Sequence, residues 1–263
     1  MSMTGVLRPG HCLLRVLDIE AAVKHYTEVI GLDITGRDDK GRVYLKAWDE
    51  LDHHSIILRE ADIPGCDFIA FKVDSKATLE RLAKDVEKFG CKVNYLPAGE
   101  LMETGERVRF QIPTGHHVEL YAEKTKVGNG LGNVNPAPWP DGLHGMQPPR
   151  MDHWQIHGIE LPGSVELFTK VLGFGWTERV KDDNTLMAAF LSCSTKPHDI
   201  ALGFRCRGVV RRIGPRRPHP CPAARPVRGP PVRCRVVGRG RHRRACGDGP
   251  RRRPAPARRP AGA

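Results

Sequence analysis

No run of apolar residues in this 263-residue chain approaches the length needed to cross a bilayer. The opening, Met1 to Gly10, also lacks the basic stretch and apolar run of a secretion signal. These absences point to a soluble, cytoplasmic protein. None of the eight cysteines forms a close CxxC pair, which leaves out a zinc site of that kind and a disulfide framework. The last 59 residues lack more: from Arg205 to Ala263 there is no Leu, no Lys, no Glu and no aromatic residue, and Asp248 is the one acidic side chain. That stretch holds 19 Arg, 11 Pro, 8 Gly and 7 Ala. With so little apolar surface it cannot bury a core, so 205–263 is expected to be a disordered basic tail.

The formal charge of +12 divides unevenly at Phe204. Residues 1–204 carry 23 Lys and Arg against 29 Asp and Glu, net −6, whereas 205–263 carry 19 against one, net +18. The body is acidic, and the overall positive charge says nothing about its ligands. Neither a membrane nor a specific nucleic acid is expected as its partner.

What the body does contain is a repeat. From His11 the chain reads HCLLRVLDIEAAVKHYTEVIGL, and from His153 it reads HWQIHGIELPGSVELFTKVLGF. In each, a His opens a short apolar run, an amphipathic helix follows, and an aromatic residue (Tyr26, Phe168) stands five positions before a glycine (Gly31, Gly173). The spacing from His to Gly is 20 both times, which marks a duplicated unit. Strand-like runs at Ile34 to Arg37, Val43 to Trp48 and Ser55 to Leu58 complete a βαβββ unit. A second unit has a first strand at Asp67 to Val73, a helix from Ser75 to Phe89 stopped by Gly90, and strands at Lys92 to Leu96, Arg107 to Ile112 and His117 to Tyr121. A linker rich in Pro and Gly precedes the third unit, whose helix is expected at Val165 to Leu172 and whose strands lie near Trp176 to Val180, Thr185 to Leu191 and Asp199 to Phe204. Units that pair to bury their faces come in even number, so a fourth is missing and the tail stands in its place.

Tandem βαβββ units are the plan of the vicinal oxygen chelate superfamily. Within it, RPGHCLLRVLD (Arg8 to Asp18), GRVYLKAW (Gly41 to Trp48), LREADIPGCDF (Leu58 to Phe68), PTGHHVELYAEK (Pro113 to Lys124) and LFTKVLGF (Leu167 to Phe174) resemble the catechol 2,3-dioxygenase family of extradiol ring-cleaving enzymes. The linker NVNPAPWP and the run FLSCSTKPHDIAL add to the match, which extends from about residue 5 to 204. The resemblance implies an α+β fold of two half-open barrels, the second incomplete. It divides the chain into an N-terminal domain without metal (1–127), a linker (128–150), the first half of a catalytic domain (151–204) and the tail (205–263). It also implies catechol and O2 as substrates, a homotetrameric parent, and Fe(II) held by two His and one Glu. Such a ligand set covers one face of an octahedral ion and leaves three positions for a bidentate catecholate and O2.

Carried over by position, the first iron ligand is His153 in MDHWQIHG. His198, in STKPHD, matches the family's acid-base His beside the oxygen position. The second His and the Glu ligand belong to the fourth unit and have no match: His219 and His242 lie among Arg and Pro, and 205–263 contains no Glu. By the repeat, His11 and Glu119 are the N-terminal counterparts of the first ligand and of the missing Glu, read as a remnant of duplication. His116 with His117, and His53 with His54, read as a turn and a strand edge.

Two readings of 205–263 remain open. Arg, Pro, Gly and Ala have codons beginning with two G or C bases and fill 45 of its 59 positions, the mark of a GC-rich coding sequence read out of frame. The other reading is a non-enzymatic module whose arginine-rich arm associates with nucleic acid. An arm of that kind mixes Lys with Arg and does not begin inside a barrel, which favours the frameshift and an inactive chain.

Overall fold

Local chemistry sets the start and end of each helix. Asp18 accepts a hydrogen bond from the Ala21 amide (2.9 Å) and caps α1 (Ile19–Lys24). Ser75 does the same for Thr78 (3.2 Å) at the start of α2 (Lys76–Phe89). The third helix, α3 (Leu161–Glu166), has no side-chain cap and begins with Pro162 in its first turn, a position where a missing N–H costs nothing. It therefore starts four residues before the expected Val165. Both α1 and α3 widen into π-helical turns, His25–Ile30 and Leu167–Val171. The aromatic-to-glycine spacing of the repeat follows from this. The amide after each glycine returns to the aromatic's carbonyl, Leu32 to Tyr26 (3.0 Å) and Phe174 to Phe168 (2.9 Å). Gly31 and Gly173 take the left-handed conformation that closes such a turn (φ 83° and 77°). At Gly31 a side chain is also excluded by space, since a Cβ would come 2.1 Å from the His144 carbonyl oxygen of the linker.

The computed structural model describes residues 5–205; the rest of the tail, 206–263, with its His219 and His242, lies outside the described residues. The first unit contributes β1 (Val6–Val16), β2 (Asp33–Arg37), β3 (Val43–Lys46) and β4 (Ile56–Glu60), and the second contributes β5 (Gly65–Val73), β6 (Val93–Leu96), β7 (Arg107–Gln111) and β8 (His117–Tyr121). Together they form one eight-stranded sheet in the order β2-β3-β4-β1-β5-β8-β7-β6. In each unit the first strand lies parallel to the last, β1 to β4 and β5 to β8. The two units meet where β1 and β5 run antiparallel, with Cys12 opposite Ile69 and Leu13 opposite Phe68. The third unit gives β9 (Trp154–Gly158), β10 (Gly175–Asp182), β11 (Thr185–Ser192) and β12 (Ile200–Phe204) as a four-stranded sheet, β10-β11-β12-β9. Here β9 is an edge strand among the described residues, whereas its counterpart β1 is central. Neither sheet closes into a barrel.

The eight-stranded sheet is buried on both faces. One face joins the helices in a core that continues into the third unit, where Phe71 meets Phe168 (5.9 Å) and Phe174 (5.4 Å) edge to face. The other gathers Leu13, Tyr44, Ile57, Phe68, Ala70, Leu101 and Tyr121. The linker docks by backbone hydrogen bonds from Met146 to Val29 and from Gln147 to Ile30. Among the described residues no helix is long and apolar enough to cross a membrane.

Because Phe168 is fully buried at the junction of the second and third units, Phe168→Ala is expected to cost about 3–5 kcal/mol, from lost transfer energy and the cavity left behind. Equilibrium urea denaturation measures it, and a loss below about 1 kcal/mol would show that the junction contributes little to the core.

Candidate functional site

The units align through their helix caps. His11 stands seven residues before Asp18, His153 seven before Glu160, and Phe68 seven before Ser75. Each therefore occupies an equivalent place, on the first strand for His11 and Phe68 and immediately ahead of it for His153. Side chains alternate along a strand, so this position faces away from the helices, on the side where a paired sheet encloses a site.

In the third unit the face carries His153 and His198. His153 lies immediately before β9, and its Nδ1 is 2.8 Å from a carboxylate oxygen of Asp152. That contact places the Nδ1 proton toward Asp152 and leaves the Nε2 lone pair available, the arrangement in which a carboxylate orients a metal-ligating imidazole. His198 is brought against it edge to face, ring centroids 4.5 Å apart, and Phe190 packs on His198 at 5.2 Å. Burial lowers the His198 pKa, and the neighbouring His153 lowers it further. The His153 side chain is 23% exposed, while its counterpart His11 is fully buried.

The loop between β11 and β12 that delivers His198 is held by Asp199. This buried carboxylate accepts hydrogen bonds from the Cys193 amide (2.9 Å), the Ser194 amide (3.0 Å), the Ser194 hydroxyl (2.8 Å) and the Ser192 hydroxyl (3.1 Å). Lys196 adds an ion pair at 3.0 Å and also reaches Asp152. Burial alone would raise the Asp199 pKa, but Lys196 and the converging donors outweigh it and hold it below the usual range. The reading of the residues passed over Asp199 and Lys196, although both adjoin His198. It also passed over His157, which shares a face with His153 and rests on Gly203, where a Cβ would meet the ring at 2.4 Å.

The N-terminal half encloses a different set. Glu119 lies 3.8 Å from His11 Nε2, both fully buried. Arg109 pairs with Glu119 through one carboxylate oxygen, and Arg107 lies 3.8 Å from the other while also bonding Glu100 at 2.5 Å. Lys124 Nζ is 3.0 Å from His11 Nδ1 and donates to the His54 carbonyl at 2.9 Å. Burial pushes the pKa values of His11, His54 and Lys124 well down. His53 and His54 stand just ahead of β4 and are buried in this interior; their Nδ1 atoms lie 3.0 Å apart. His116 does sit in a turn, 3.1 Å from the Thr114 hydroxyl, and His117 opens β8. Among the described residues no group of three His, Cys, Asp or Glu side chains is placed to hold a metal ion.

Residues 66–125 match the family described as catechol 2,3-dioxygenase-like N-terminal domain. The chain is 52% identical over 199 residues to the metapyrocatechase of Pseudomonas sp. strain CF600, covering 75% of this chain and 65% of that relative. It thus spans just under two thirds of the length of that curated relative. A manganese-dependent 2,3-dihydroxybiphenyl 1,2-dioxygenase of Geobacillus genomosp. 3 is 26% identical over 212 residues, 78% of this chain and 65% of the relative. Among solved structures, the 2,3-dioxygenase LapB from Pseudomonas sp. KL28 superposes with a TM-score of 0.75 at 52% identity, covering 78% of this chain and 72% of that one.

Asp199→Asn replaces an acceptor oxygen with a donor facing other donors, so it should destabilise the His198 loop by about 1–3 kcal/mol. Since the folded pKa of Asp199 is depressed, its contribution is present above the ordinary value of 3.8 and is lost as pH falls below it. Denaturant unfolding at pH 7 and pH 3 tests both points. An Asn variant as stable as the parent at pH 7, or a gap that widens at pH 3, would contradict this assignment.

Proposed function

The chain belongs to the catechol 2,3-dioxygenase family, and from that premise we propose that its framework is built for extradiol cleavage of catechol by O2 to 2-hydroxymuconate semialdehyde, in the cytoplasm. The observation that carries this reading is the contact between His153 and His198 on the open face of the third unit, with Asp152 behind His153. Asp152 fixes the imidazole so that Nε2 faces the site, and His153 is the residue proposed to bind the metal. His198, kept uncharged near neutrality by burial and by His153, is proposed to accept and return protons at the substrate. When bound, the metal would supply the shared coordination of catecholate and O2. We assign it as Fe(II), although the manganese-dependent relative makes Mn(II) the competing ion.

The residues described here fit that ion only in part. One imidazole is in place, no group of three ligands surrounds it, and 205–263 holds no Glu. We propose that 205–263 is out-of-frame sequence in place of the fourth unit, and that the chain as given does not turn over. The N-terminal half is proposed to be metal-free, because the charge that balances Glu119 already comes from Arg107 and Arg109. The homotetramer expected of the parent is likewise a proposal for the complete, in-frame protein.

Loading the chain anaerobically with Fe(II) and adding catechol in air should give no yellow ring-cleavage product. Restoring one reading frame near codon 205 should yield a His-bearing strand, then a Glu-bearing one, and activity. In that restored protein His198→Phe should lower kcat by about 100-fold to 10,000-fold. Turnover by the present chain, or stop codons in both alternative frames, would contradict the proposal.

A further inference from the structure

Eight buried side-chain polar atoms among the described residues have no hydrogen-bond partner, and six belong to a buried cluster on the inner face of the eight-stranded sheet. They are Nε2 of His11, Nε2 of His54, Nε and Nη1 of Arg107, Oε2 of Glu119 and the Tyr121 hydroxyl. Native interiors leave few such atoms unsatisfied, because each costs the full desolvation penalty of its group. Three of them, on Glu119, Arg107 and His11, stand near enough to one another for one occupant to satisfy them together.

Charge decides what the occupant is. Arg107 and Arg109 are matched by Glu119 and Glu100, and burial drives Lys124 toward its uncharged form, so the cluster is close to neutral. A divalent cation bound to Glu119 would sit against the Arg107 guanidinium, and Lys124 already holds the other nitrogen of His11. An anion would meet Glu119, whose second oxygen faces inward without a partner. A neutral molecule able both to donate and to accept meets neither obstacle. The spacing suits water: His11 Nε2 and Arg107 Nη1 each stand 3.8 Å from Glu119 Oε2, too far for a hydrogen bond. At that separation one oxygen can lie about 2.8 Å from both ends.

We propose that this cluster holds a buried water seated between Glu119, Arg107 and His11, at the place that corresponds by the repeat to the metal position of the third unit. The water donates to Glu119 Oε2, accepts from Arg107 Nη1 and bonds His11 Nε2, about the three hydrogen bonds usual for an internal water. Water and a guanidinium thus do in the first pair of units the bridging that a metal does in a complete second pair. His11, Arg107 and Glu119 lie outside the site of the proposed activity.

A crystal structure of the full chain at a resolution that shows ordered solvent should reveal a single oxygen-sized peak about 2.7–3.0 Å from Glu119 Oε2 and Arg107 Nη1. In solution, oxygen-17 magnetic relaxation dispersion should count at least one fewer long-lived water in the triple variant His11→Phe, Arg107→Met, Glu119→Leu than in the parent. A metal peak, a larger solute, or a closed cluster with His11 bonded directly to Glu119 would overturn the proposal. So would an unchanged count of long-lived waters in a folded variant. If the variant does not fold, the density in the parent chain decides alone.

Discussion

The antiparallel contact between β1 and β5 is the interaction on which the rest depends. These strands are equivalent in their units, and they meet with Cys12 opposite Ile69, residues that themselves correspond. Pairing equivalent strands around such a point turns two half-sheets into one and brings the last strand of the second unit, with Glu119, over the first strand of the first, with His11. It also buries the inner face. A single βαβββ unit can build a helix-covered core on one side, but its other side needs a counterpart.

The third unit displays the consequence. Its core side is complete: Leu161, Phe168, Leu191, Ile200 and Leu202 are buried, and Phe71 of the second unit packs against Phe168. Its site side is not. β9 has β12 on one flank and a free flank among the described residues, and His153 is partly exposed where His11 is sealed. Folding to residue 204 and completing the site are separable because they use opposite faces of the same strands.

Much of this was legible in the residues. The paired His-to-Gly spacing disclosed the repeat, and the structure supplies its cause in the carbonyls of Tyr26 and Phe168 closing wide turns over left-handed glycines. The π-helical widening was not legible, since an inserted residue shifts the apolar phase only beyond it and each helix ends within that turn. The start of α3 lies ahead of the expected Val165 because a proline in the first turn opens a helix. His153 and His198 were placed by resemblance and repeat, and the fold brings their rings together. The inner cluster was invisible for a different reason. Arg107, Arg109 and Glu119 alternate with apolar residues as a solvent-facing strand does, and only the pairing of β1 with β5 turns that polar face inward.

His153 is proposed as one arm of a metal site whose closure needs a fourth unit. Metal content measures this directly: load the purified full chain with Fe(II) without oxygen, desalt it, and count iron per chain. Well below one iron per chain should be retained, because a single imidazole supplies neither the affinity nor the geometry of the complete set. One tightly held iron per chain, lost on His153→Ala, would contradict it.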